Sequence, residues 1–213
     1  MGKNEFYCLA TFAVKPVKLK AFQEFWRGNL EVKGAEHIAT FTTIAGREGS
    51  NAVMSLFKIT DLNTWFRGKV GEYFTPELNE YCDGLEYIFM DMCDYSVLPN
   101  FYKDGEADSI EGLNLYFWAD IEVKSNRMID YHTRWKENSI QHHREMGAEH
   151  IATFNIISGQ ACTTHVKRLF RITDLEAWAD GEVTCHHRSN LWYDTANKVW
   201  TTSLYPLPYS HLR

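Results

Sequence analysis

The phrase GAEHIATF stands at Gly34 to Phe41 and returns, letter for letter, at Gly147 to Phe154. The likeness extends outward: Ile44 to Trp65 aligns with Ile157 to Trp178 without a gap, 113 residues apart. Upstream the spacing is 109, pairing Phe22 with Tyr131 and Trp26 with Trp135, and downstream SVLP (Ser96 to Pro99) pairs with SLYP (Ser203 to Pro206) at 107. A tandem duplication accounts for this pattern. The copies run from about 5 to 99 and from about 114 to 208. NFYKDGEADSIEG (Asn100 to Gly112) forms an acidic, Gly-containing linker. As domains these are residues 1–99, a linker at 100–112, and 113–213.

Each copy reads as strand, helix, strand, strand, helix, strand. FYCLATFAV is followed by Lys15-Pro16, after which Leu19, Phe22, Trp26 and Leu30 recur at helical spacing. HIATFTTIAG is β-branched and aromatic, and REGSN turns it into VMSLFKI, a hairpin signal. Asp61 and Asp174 each stand where an N-cap belongs before a second helix. The βαββαβ order is the ferredoxin-like unit of the α+β class, an antiparallel sheet with helices on one face only. The bare faces of two such sheets cover each other when they curl into one barrel with the helices outside.

Composition narrows the function. Hydrophobic residues make up 45% and charged residues 23%, an ordinary globular balance. The net charge of −6 and the scattered Lys and Arg argue against nucleic acid. No apolar run is long enough to span a bilayer, and the N-terminus lacks a signal-peptide pattern, so no membrane partner and a cytoplasmic location are expected. Cys8, Cys82, Cys93, Cys162 and Cys185 form no CxxC pair and read as free thiols.

The βαββαβ order, the aromatic-rich first helix and the closing SLYPLPYS resemble the dimeric α/β barrel superfamily, and within it the NIPSNAP-like branch, whose chains tend to end in a similar apolar-Pro-Leu-Pro-aromatic-Ser phrase. Most members of that superfamily pair two single-unit chains to make the barrel. The resemblance implies a barrel closed within one chain here.

Eight of the nine histidines lie in or just after the second copy. The adjacent pairs His142/His143 and His186/His187 cannot easily share one ion, and no HxxxH spacing occurs within a helix, so no metal is expected. The second copy is four residues longer between Trp135 and Gly147, about one helical turn, which places His142 near the apolar stripe.

Period-2 alternation then divides each strand. Phe6, Cys8, Ala10, Phe12 and Val14, with Leu115, Phe117, Ala119, Ile121 and Val123, belong under the helices. Tyr116, Trp118 and Asp120 belong to the lumen. His165 and Lys167 share one face of the third strand, so Asp120, His165 and Lys167 should form a polar cluster for which the first copy has Thr11, Ala52 and Met54. In the repeated phrase, alternation puts His37 with Ala39 and Phe41, toward the helices. Glu36 and Glu149 then face the lumen with Ile38, Thr40 and Thr42, and with Ile151, Thr153 and Asn155. His37 and His150 are read as scaffold first, with Glu149 and His150 as reserve site residues.

The expected function is a small-molecule enzyme holding an apolar or aromatic metabolite in the barrel and acting by proton transfer, as an isomerase, lyase, cyclase or cofactor-independent monooxygenase. Asp120, His165 and His150 are the catalytic candidates; Tyr116, Trp118, Lys167 and Glu149 are the substrate-binding candidates. No cofactor is expected. Haem or a transition metal is the alternative, since related tandem ferredoxin-like proteins use a histidine of the C-terminal copy as axial ligand, and His150, His165 or His186 could serve. A non-enzymatic NIPSNAP-like binding protein is a further alternative. A homodimer through helices or sheet edges stays open.

Overall fold

The computed structural model describes residues 5–46, 49–67, 76–98, 115–159, 164–188 and 194–212, with the side chains of 182–188 left out; the linker 100–112 therefore lies outside the described residues. The first half contains β1 (Phe6–Val14), α1 (Leu19–Arg27), β2 (Ala35–Gly46), β3 (Ala52–Ile59), α2 (Leu62–Arg67), α3 (Pro76–Tyr81) and β4 (Cys82–Met92). The second contains β5 (Tyr116–Val123), α4 (Met128–Arg134), a π-helical turn (Trp135–Ser139), α5 (Ile140–Glu145), β6 (Ala148–Ser158), β7 (His165–Ile172), α6 (Leu175–Arg188) and β8 (Ala196–Pro206). The eight strands close into an antiparallel barrel in the order β1-β3-β2-β8-β5-β7-β6-β4. The seams between halves are β2–β8 and β4–β6. No helix among the described residues is long and apolar enough to cross a membrane.

Alternation along β1 and β5 sorts side chains as their period demands. Tyr7, Leu9, Tyr116 and Trp118 enter one buried cluster fed by all eight strands, which fills the lumen. Cys8, Ala10, Phe12 and Val14 pack with Phe22 and Trp26 of α1. Phe117, Ala119, Ile121 and Val123 pack with Tyr131 and Trp135.

Three expectations are corrected. First, β2 and β6 each carry a β-bulge, between His37 and Ala39 and between His150 and Ala152. The extra residue reverses the phase beyond it. Phe41 and Phe154 therefore enter the lumen, while Thr40, Thr153 and Asn155 face the helices. Each histidine spans its bulge, His37 Nε2 to Thr40 Oγ1 at 2.9 Å and His150 Nε2 to Thr153 Oγ1 at 2.7 Å. The repeated phrase is thus a bulge with its own clasp. Its glycines belong to it as well: Gly34 and Gly147 sit at φ 80° and 78°, and their carbonyls accept the N–H groups of Thr60 and Asp61, and of Thr173 and Asp174.

Second, Ser96 corresponds to Ser210 rather than Ser203. Ser96 Oγ accepts from Thr153 N–H and donates to the Thr153 carbonyl; Ser210 Oγ does the same to Thr40. The phrases that match are Tyr95-Ser-Val-Leu98 and Tyr209-Ser-His-Leu212, 114 residues apart. Leu98 and Leu212, both fully buried in the lumenal cluster, close the end of the barrel where β1 and β5 begin.

Third, the longer helix of the second half includes a π-turn, Trp135–Ser139. A π-turn takes one residue more than an α-turn. The register beyond it advances, so His143 is buried and His142 exposed.

Candidate functional site

β5 and β7 pair with Asp120 opposite Lys167 and Trp118 opposite Leu169. This register assembles the lumenal group: Lys167 Nζ donates to Asp120 Oδ2 at 3.0 Å, and His165 Nδ1 lies 3.3 Å from Asp120 Oδ1. The His165 ring stacks on Trp200, centroids 6.0 Å apart. These residues stand at the end of the lumen opposite Leu98 and Leu212. The remaining candidates lie elsewhere. Tyr116 is at the closed end, where Arg171 donates to Glu149 Oε2 at 2.7 Å. His150 is on the other side of the sheet, against Trp135 and Phe170, and does not meet Asp120 or His165.

A second polar cluster lies between the sheet and the long helix of the second half, where His150 stands. Arg168 of β7 is fully buried there. Its guanidinium carbon sits 3.1 Å from the Trp135 ring centroid and 4.5 Å from that of Tyr131. Next to it, His132 of α4 is held at both nitrogens, Nδ1 by the Tyr95 hydroxyl at 2.7 Å and Nε2 by Asn155 Oδ1 at 2.9 Å. Asn155 Nδ2 donates to Cys93 Sγ at 3.6 Å. His143 stacks on Phe170 at 5.2 Å, its Nδ1 on the Ser139 carbonyl at 2.8 Å within the π-turn. Cys93 and Tyr95 arrive from the first half, because β4 pairs with β6 at the seam.

The same place in the first half is uncharged. Phe22, Gln23, Leu30, Thr42 and Ser55 stand where the second half has Tyr131, His132, His143, Asn155 and Arg168; Leu207 and Tyr209 stand for Cys93 and Tyr95. There Trp26 Nε1 donates to Ser55 Oγ at 2.8 Å, a modest internal bond. Placing a guanidinium, a thiol and three histidines in such a layer opposes folding through desolvation. π-turns concentrate at functional sites.

Electrostatics define the protonation states. Burial, then the Arg168 charge, lower the His132 imidazole below its usual range. The same causes, with burial first, lower His143 to about 4 and His150 to about 3. All three are neutral near pH 7. Asn155 Oδ1 accepts only from an N–H, so His132 carries its proton on Nε2, and Nδ1 accepts the Tyr95 O–H. Burial pushes the Cys93 thiol up to about 11. Although Cys93, His132 and Asn155 have the order of a nucleophilic triad, Sγ is 4.0 Å from Nδ1 and remains a thiol.

Sequence reasoning passed over Arg168, Tyr131, His132, Tyr95, Cys93 and Asn155. The repeat held part of the signal, for Ser55 against Arg168 and Phe22 against Tyr131 are exchanges at buried positions. Cys93 and Tyr95 had none, since the seam brings them in.

Haem ligation needs an imidazole nitrogen with a free lone pair beside a flat slot. His150 Nε2 is bonded to Thr153, and its ring is flanked by Tyr95, Trp135 and Phe170. His132 is engaged at both nitrogens, and His165 Nδ1 faces Asp120 Oδ1 at 3.3 Å with Trp200 alongside its ring. The His186 side chain lies outside the described residues. Neither His150 nor His132 offers a free nitrogen to a haem. No group of three or more His, Cys, Asp or Glu among the described residues is placed to hold a metal ion.

The architecture is that of the dimeric α/β barrels, closed within one chain. It is similar to the solved structure of an anthrone oxidase-like protein, with TM-score 0.66 and 10% identity over 97% of this chain and 92% of that one. A candidate monooxygenase from Fusobacterium nucleatum gives TM-score 0.61 and 11% identity over 97% and 94% of the two chains. A chlorite dismutase variant from Candidatus Nitrospira defluvii gives 0.52 and 10% over 95% and 91%. No family model and no curated protein matches the sequence.

Proposed function

We propose that the chain is a small-molecule enzyme whose second half removes a proton from an activated C–H or O–H of an aromatic metabolite at the helix–sheet cluster. The observation that carries this reading is Arg168, a permanent charge buried between Tyr131 and Trp135 beside a neutral, doubly oriented His132. His132 Nδ1 is the proton acceptor. Tyr95 relays, giving its own proton to Nδ1 as it takes the substrate's. The anion left on the substrate is stabilised by Arg168, a preorganised charge in a poorly solvated place. The likeness to an anthrone oxidase-like protein and to candidate monooxygenases favours oxygen as the second reactant. For an anthrone, the ring methylene gives up its protons and electrons, one O2 is consumed, the carbon becomes a carbonyl and one water leaves.

Oxygen uptake with anthrone tests the reading. The unmodified protein should exceed the uncatalysed rate, and His132→Gln should lose about 100-fold or more, the usual worth of a general base. A rate equal to background with the unmodified protein overturns it and favours the NIPSNAP-like binding protein. A cytoplasmic setting belongs to the same proposal, supported by the free thiols of Cys8, Cys82 and Cys93.

A further inference from the structure

The open end of the barrel holds a group that the proposed chemistry does not use. Trp118 is 2% exposed, and its Nε1–H, inside the lumen, has no hydrogen-bond partner among the described residues. Indole N–H donors find an acceptor when buried. Two residues along the same strand face, Asp120 bridges Lys167 and His165. The closed end of the lumen is capped by Leu98 and Leu212, but lumen-facing Thr11, Gly84, Glu86 and Asp120 at this end are only half-buried. The orphan donor therefore lies beneath an opening.

We propose that this end of the barrel is a second ligand site, on the opposite face of the sheet from Arg168, for a small neutral carbonyl compound with one apolar side. The carbonyl oxygen accepts the Trp118 N–H. A carboxylate is disfavoured, because Asp120 already matches the Lys167 charge and would repel a second anion. Strand β3 supplies an apolar wall, with Ala52 and Met54 where β7 has His165 and Lys167, while Thr11 and Glu86 lie at the rim. The ligand is thus held with its oxygen toward β5 and its hydrocarbon toward β3.

The test uses full-length, 15N-labelled protein and follows the indole N–H signals during titration with acetophenone, toluene and benzoate. The Trp118 signal is identified by its loss in Trp118→Phe. Acetophenone should move that signal downfield and saturably, and its affinity should fall about tenfold in Trp118→Phe. Toluene should cause no downfield movement, and benzoate should bind more weakly than acetophenone. Gly84→Leu supplies a variant that leaves the indole in place: a Cβ at Gly84 meets only Ala13 Cβ at 3.8 Å, so the larger residue fits and narrows the opening. It should abolish the acetophenone shift. A Trp118 signal unmoved by saturating acetophenone, a shift that persists in Gly84→Leu, or a response to benzoate as strong as to the ketone overturns the proposal.

Discussion

The guanidinium of Arg168 lies face-on to the indole of Trp135, 3.1 Å from its ring centroid, where the first half has Ser55 accepting a hydrogen bond from Trp26. One exchange within a shared frame turns a packed layer into a charged one. Stacking on desolvated rings offsets about 2 kcal/mol of the burial cost, which is less than the desolvation of a guanidinium.

Arg168→Met should therefore separate stability from activity. Unfolding in urea is expected to show a neutral or stabilising change of up to about 3 kcal/mol, as when buried charges give way to apolar groups of similar volume. Turnover should fall at least as far as in His132→Gln. The His132 imidazole, lowered in part by the Arg168 charge, should titrate higher in the variant, measured by NMR. A stability loss above about 3 kcal/mol would show that Arg168 holds the fold together.

Acid should weaken the fold through its buried histidines. His37 and His143 are lowered to about 4 and His150 to about 3, with burial the first cause in each. Below pH 6.5 the unfolded chain takes up these protons and the folded chain does not. Stability is complete above 6.5 and declines as pH falls toward 4, by about 1.4 kcal/mol per unit for each histidine. Urea midpoints from pH 7 to 4.5 measure it. His143→Leu, which installs the residue of the first half, should flatten the slope; an unchanged slope would remove His143 from the account.

Gly147→Ala tests the repeated phrase. Its φ of 78° disfavours any side chain, and a Cβ would collide with the Asp174 carbonyl oxygen. Backbone strain alone costs about 1–3 kcal/mol. Gly34→Ala, whose Cβ would come within 2.8 Å of the Asp61 carbonyl oxygen, should suffer similarly. Thermal unfolding of both variants checks the equivalence.

Ser210→Ala should destabilise by about 1–3 kcal/mol, because it leaves the buried Thr40 N–H without its acceptor. Ser96→Ala should behave alike through Thr153. Ser203→Ala, at the position sequence spacing favoured, should cost less than either. Denaturant unfolding of the three variants decides which serines are equivalent.

The sequence by itself determined the unit, its repetition and the compartments of β1 and β5. An uninterrupted period of two leaves a strand one way to place Tyr116, Trp118 and Asp120, and that includes the meeting of Asp120 with His165 and Lys167. Tertiary structure decided everything that depends on one extra residue or on a distant neighbour. The bulges at Ile38 and Ile151 sent Thr153 and Asn155 outward, and the π-turn exchanged His142 for His143. The β4–β6 seam carried Cys93 and Tyr95 to His132. A periodic pattern is local and survives in the letters, whereas a phase slip is stabilised by partners on other strands, and those partners are known only once the barrel has closed.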